Sequence, residues 1–158
     1  MASRTLDLFG GVLNNGKRRM PEKRSARGRK LTRKAQRELD TKITFMEGLI
    51  GRDPQYVEAL QILGDCYTER GHFDRSLKID QRLSRLEPRN PLVYYNLACS
   101  YSLNGDVNLA LTALETALVL GYRDFKWLNR DPDLRALRKH PSYRNIEDKI
   151  RRMKIRIS

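Results

Sequence analysis

The sequence predicts an all-α fold: a solenoid of about two full helical hairpins, with one capping helix before them and short capping helices after. Three observations predict it. First, residues 57–90 and 91–124 are two copies of one 34-residue unit. Leu63, Tyr67, Gly71, Leu77 and Leu86 recur as Leu97, Tyr101, Gly105, Leu111 and Leu120, each one unit length further on. A fixed period of this length marks a stacked repeat. Second, each copy holds two apolar stripes at helical spacing, such as Leu60, Leu63 and Tyr67 followed by Phe73, Leu77, Leu83 and Leu86. Third, a Gly stands between the two stripes in both copies, at Gly71 and Gly105, where a chain can end a helix with φ > 0.

The element before the repeats starts near Leu31. Ala35, Leu39, Ile43, Met46 and Ile50 give it one apolar face. Leu39, Ile43, Leu49 and Pro54 fall one unit length before Phe73, Leu77, Leu83 and Pro88. This is the second half of a hairpin whose first half would need apolar residues where Arg27, Arg29, Lys30 and Arg33 stand. It reads as a single capping helix of about 20 residues, since terminal repeats are atypical. Within each hairpin the small residues Gly64 and Ser76, or Ala98 and Ala110, let two backbones approach closely. Pro88 stops the second helix of the first copy because it has no backbone N–H to donate.

After the repeats, Asp131-Pro132-Asp133-Leu134-Arg135-Ala136-Leu137 supplies an N-cap, a Pro suited to the first helical position, and an apolar face from Leu134 and Leu137. His140-Pro141-Ser142-Tyr143 begins a last helix carrying Tyr143, Ile146 and Ile150. Phe125, Trp127 and Tyr143 are expected to form a lid over the open end of the stack.

These residues resemble the tetratricopeptide repeat (TPR) family. Its small residue after Leu is Gly64 and Ala98, its Tyr is Tyr67 and Tyr101, its turn Gly is Gly71 and Gly105, and its closing Pro is Pro88. The sequence departs at the family's first aromatic, which is Leu60 in one copy and Tyr94 in the other. It departs again at the aromatic of the second helix, which is Asp80 and Leu114, and at the second closing Pro, which is Tyr122. The segment from Asp131 to Tyr143 resembles the one that closes a group of bacterial TPR proteins. The resemblance implies an adaptor that binds a protein or peptide on the inner face of the first helices. That face would carry Glu58, Gln61, Asp65, Thr68 and Glu69 in one copy and Leu92, Tyr95, Asn96, Cys99 and Ser102 in the other. Some family members grip a C-terminal carboxylate with Lys, Asn and Arg here. Asn96 suits that role, but Gln61 and Asp65 stand where the first Lys and Asn belong. Three acids in one half repel an anionic ligand and suit a polar or basic peptide.

Charge divides the chain. The formal net charge is +13, and residues 1–37 hold 12 Lys/Arg against two acids, while residues 38–148 hold 15 against 17. The last ten residues add five bases and no acid. Residues 1–30 therefore read as a basic arm that cannot bury itself and lacks fixed structure. Lys17, Arg18, Arg19, Lys23, Arg24, Arg27, Arg29, Lys30, Arg33 and Lys34 are its candidate anion-binding residues. With no aromatic interleaved, they could neutralise phosphates of a nucleic acid or ribosome without reading sequence. This is the alternative function. The arm could reach the acidic face of the first hairpin if the capping helix runs back alongside it. Within the arm, Thr5-Leu6-Asp7-Leu8-Phe9 resembles the pentapeptide by which bacterial proteins dock on the replication sliding clamp. Leu6, Leu8 and Phe9 would make that contact, and Thr5 replaces the usual Gln.

No catalytic constellation is expected. Neither His72 nor His140 has a nucleophile at motif spacing, no phosphate-binding Gly loop occurs, and His, Cys and acids show no metal spacing. The protein is expected to be a non-enzyme without cofactor or metal. Cys66 and Cys99 are read as buried thiols of a reducing compartment, and the absence of an apolar run of about 18 residues argues against a membrane span. A cytoplasmic location is expected.

Overall fold

The computed structural model describes residues 30–155, and those residues form eight α-helices and no strand. The elements are α1 (Arg33–Arg52), α2 (Val57–Arg70), α3 (Phe73–Leu86), α4 (Pro91–Asn104) and α5 (Val107–Leu120). The short α6 (Phe125–Leu128), a 3-10 turn (Pro132–Leu134) and α7 (Arg135–Arg138) follow, and α8 (Tyr143–Ile155) ends the described chain. Helices α2 and α4, and likewise α3 and α5, begin one unit length apart and are each 14 residues long.

The hairpin turns are alike in detail. Gly71 and Gly105 adopt φ of 84° and 86°. In the first turn Gly71 N–H donates to Thr68 O and His72 N–H to Tyr67 O; in the second, Gly105 donates to Ser102 O and Asp106 to Tyr101 O. Paired bonds of this kind satisfy the last carbonyls of a helix, and the left-handed backbone they need costs a β-carbon residue roughly 1–2 kcal/mol. Thr32 caps α1, its Oγ1 accepting from Ala35 N–H at 3.2 Å. Asn90 caps α4 through Leu92 N–H, with Pro91 in the first turn.

Two apolar clusters share the core. One joins Leu39, Ile43 and Met46 of α1 to Leu60, Leu63 and Tyr67 of α2 and Ile79 and Leu83 of α3. The other joins α4 and α5 to Leu128, Leu134, Leu137, Ile146 and Ile150 of the C-terminal segment. Between α2, α3 and α4 lies a buried polar layer. Thr68 Oγ1 and Ser76 Oγ are 2.6 Å apart and both reach Gly64 O, Ser76 Oγ is 3.3 Å from Ser100 Oγ, and Ser100 donates to Asp80 Oδ2 at 2.5 Å. Asp80, where the family pattern has an aromatic, is thus a buried acceptor. Gly64 is needed at this crossing: an added Cβ would stand 3.3 Å from Ile79 Cγ2 and 3.4 Å from Asp80 Oδ1.

Phe125 and Trp127 are half-buried against the second cluster, and Tyr143 is buried in it. Burial pushes the Tyr143 phenol up to about 12, and its hydroxyl finds no hydrogen-bond partner among the described residues.

Candidate functional site

The ten residues expected on the inner face of the hairpins do not share one environment. On α2, Glu58 and Glu69 are exposed, and Gln61 and Asp65 are half-buried. These four recur at steps of three and four and so lie on one face of the helix. Thr68 is not among them. It is buried in the polar layer against Ser76, because the small Ser76 lets α3 close over it.

On α4 the C-terminal segment covers most of the corresponding face. Tyr95 is buried and its hydroxyl donates to Asp131 Oδ2 at 2.6 Å. Cys99 Sγ approaches the same oxygen at 3.7 Å, and Ser102 Oγ donates to the backbone carbonyl of Asp133 at 2.7 Å. Tyr122 stacks on Tyr95, ring centroids 4.2 Å apart. Tyr95, Cys99 and Ser102 therefore do not line an open groove; they anchor the segment that closes it. Burial pushes the hydroxyls of Tyr95 and Tyr122 up, away from ionisation. Only Leu92 and Asn96, both half-buried, remain of the five. The Asn96 Oδ1 atom is buried and has no hydrogen-bond partner among the described residues.

The residue that sequence reasoning underrated is Asp131. It does act as a cap, its Oδ1 accepting from Asp133 N–H at 3.0 Å. Its other oxygen takes the Tyr95 hydroxyl, and Arg138 Nη1 donates to its backbone carbonyl at 2.7 Å. A signal was present: two acids, Asp131 and Asp133, sit among residues that are all buried, namely Leu128, Leu134 and Leu137.

Around the α2 stripe, α1 runs antiparallel. Arg70 Nε pairs with Asp40 Oδ1 at 2.7 Å, and Tyr67 Oη donates to Glu47 Oε1 at 2.5 Å. Arg70 holds the Asp40 carboxyl below its usual range, chiefly by this hydrogen bond. Burial, with Glu47 beside it, pushes the Tyr67 phenol up to about 12. Cys66, between the helices, is raised to about 11 by burial; Lys42 opposes that shift, while Asp65 and Glu69 add to it. The thiol is inert at neutral pH by this measure.

The opposite face of the hairpins differs as well. Arg75, Lys78, Arg82 and Arg85 of α3 fall one unit length before Leu109, Thr112, Thr116 and Val119 of α5. Arg75 lies over the Tyr67 ring and 3.9 Å from Glu47, and Arg82 donates to the Pro54 carbonyl. Leu109 and Val119 are 51% and 68% exposed.

Of the arm residues, Lys30 is exposed ahead of the α1 cap, and Arg33 and Lys34 are exposed in its first turn, Lys34 3.9 Å from Glu38. Lys17, Arg18, Arg19, Lys23, Arg24, Arg27 and Arg29, and the Leu6, Leu8 and Phe9 motif, lie outside the described residues. Among the described residues no group of His, Cys, Asp and Glu could hold a metal ion, and no helix is long and apolar enough to cross a membrane. A shallow cleft of about 360 Å³ opens between Asn129 and α8, lined by Glu147, Ile150, Arg151 and Lys154.

No family model matches the chain. Its sequence is similar to that of a chloroplastic protein of Arabidopsis thaliana, at 38% identity over 117 residues. That match takes in 73% of this chain but only 29% of the Arabidopsis protein, so the chain spans under a third of the relative's length.

Proposed function

We propose that this chain is a TPR-type adaptor that binds a basic or polar segment of another protein on the inner face of α2. The observation that carries this reading is the stripe Glu58, Gln61, Asp65 and Glu69, the accessible part of the face on which the family binds peptides. Two matched hairpins, offset by one unit length and closed by the same turn, support the TPR assignment. The partial coverage of a longer relative suits a module that elsewhere is joined to further segments. A peptide with Lys or Arg every three or four residues meets the stripe as an extended or helical strand, and the rim position of the acids makes the contact steer and select rather than bind tightly. The protein acts without chemistry of its own and without cofactor. A cytoplasmic location belongs to the same proposal, supported by two free buried thiols.

Affinity capture from native lysate, with and without nuclease, tests it. Partners that persist after nuclease, and are lost from Glu58→Gln/Asp65→Asn/Glu69→Gln, support the adaptor. Loss of all partners with nuclease supports the alternative, phosphate binding through the basic arm.

A further inference from the structure

We propose that the α2 stripe has an occupant within the same chain: the basic arm, residues 17–29, lies along Glu58, Asp65 and Glu69 and competes with the partner. The inference rests on the groove reading above, and three observations carry it.

The first is where acid is concentrated. Residues 38–69 hold seven acids and only Lys42 and Arg52, while residues 17–37, next to them in the chain, hold 11 bases and one acid. Most other exposed acids are engaged. Asp40 pairs with Arg70, Glu47 takes Tyr67 and Arg75, Glu115 pairs with Lys149, and Asp148 with Arg151. Glu58 and Glu69 carry no ion pair among the described residues, and Lys42 is the cation that α1 brings near Asp65 and Glu69.

The second is where the arm leaves the fold. The Asp40–Arg70 pair fixes the start of α1 beside the end of α2. Thr32 caps α1 eight residues before Asp40, which is about 12 Å along a helix. The arm therefore departs beyond Glu69, at the C-terminal end of the stripe.

The third is reach. Returning from Thr32 to the level of Glu69 takes about 12 Å, to Asp65 about 18 Å and to Glu58 about 28 Å. At about 3.3 Å per extended residue, Arg27 reaches about 17 Å from Thr32, Arg24 about 26 Å and Arg19 about 43 Å. Each cluster of bases thus reaches one acid in turn. The outer face of α3, with Arg75, Lys78 and Arg85, repels the arm. The tether holds it at about millimolar effective concentration, enough to weaken a basic competitor about 3–10-fold.

The test is zero-length carbodiimide coupling of lysine to carboxylate in the full chain, with links mapped in the monomer fraction. At low salt Lys23 couples to Asp65 or Glu69, and Lys17 to Glu58. At about 1 M salt, with a Debye length of ~3 Å, these links fade. Arm lysines that couple only to acids such as Glu147 or Asp148, only between chains, or to none overturn the proposal. A second measurement uses fluorescein-labelled hexa-arginine as probe. A variant with Lys17, Arg18, Arg19, Lys23, Arg24, Arg27 and Arg29 all changed to Gln binds it several-fold tighter than the native chain at low salt; equal affinities overturn the competition. If neither chain binds the probe but the links are present, the groove reading fails while the arm contact stands.

Discussion

The two hairpins are one backbone with two surfaces. Their helices have the same lengths, their turns close on Gly with nearly the same φ, and the same carbonyls are capped. Yet α2 presents an open acidic stripe where α4 is sealed by Asp131 and Asp133, and α3 presents four bases where α5 presents Leu, Thr, Thr and Val. What a repeat must hold constant is the turn conformation and the close crossing. What it is free to change is the face that each unit shows to solvent or to its neighbour, because a stack is stabilised mainly by nearest-neighbour contacts.

The largest effect should come from breaking the seal that makes α4 different. Asp131→Ala leaves the buried Tyr95 hydroxyl without its acceptor and uncaps the 3-10 turn. Stranding buried polar groups costs ~1–3 kcal/mol and a lost cap ~1 more, so denaturant unfolding should show a loss of about 3 kcal/mol. Gly64→Leu attacks the first hairpin instead. Its side chain would enter the crossing with Ile79 and Asp80, costing ~1–3 kcal/mol by overpacking. A neutral outcome for it would mean that α2 and α3 do not approach as described.

Gly71→Ala and Gly105→Ala sharpen the comparison from the side of likeness. Both positions have φ near 85° with open space around an added Cβ, so each should cost roughly 1–2 kcal/mol, and the two costs should agree. Unequal costs would show that the hairpins are not equivalent scaffolds.

Alkaline pH probes both halves at once. Cys66 and Tyr67 in the first, and Tyr95, Tyr122 and Tyr143 in the second, all have pKa values raised by burial. A raised folded-state value means that the unfolded chain gives up protons first. The stability is complete below the unfolded values, about 8.5 for Cys and about 10 for Tyr, and falls as pH rises toward 11 and 12. Denaturation midpoints measured from pH 8 upward should decline, with Cys66→Ala removing the earliest part of the decline. A flat profile would contradict the burial of these groups.

The smallest effect is on stability at the stripe itself. Neutralising Glu58, Asp65 and Glu69 should change stability within about 0.5 kcal/mol per site, since two are fully exposed and none closes the core.

How much of this could be read in the sequence follows from the distance over which each feature acts. The hairpins were legible because Gly71, Gly105 and the apolar stripes act within one or two turns of themselves. The position of α1 followed from the same period, Leu39 and Ile43 falling one unit length before Phe73 and Leu77. The closure of α4 was not legible. Its bonds join residues 31 to 36 apart in an irregular segment, and such contacts leave no periodic trace. Thr68 was misplaced for a related reason: helical spacing sets it beside Asp65 and Glu69, but Ser76 and the crossing angle bury it. Asp80 departs from the family's aromatic and was legible only as a departure. The Ser100 hydroxyl that receives its carboxylate is 20 residues away on another helix.

The central claim is that the accessible ligand face belongs to α2 alone. Amide chemical-shift mapping of the full chain, titrated with hexa-lysine at low salt, tests it most directly. Shifts confined to the stripe from Glu58 to Glu69, absent from Tyr95 to Ser102 and abolished by Glu58→Gln/Asp65→Asn/Glu69→Gln, are what the account predicts. Shifts centred on α4, or shifts on α2 that survive the triple substitution, would contradict it.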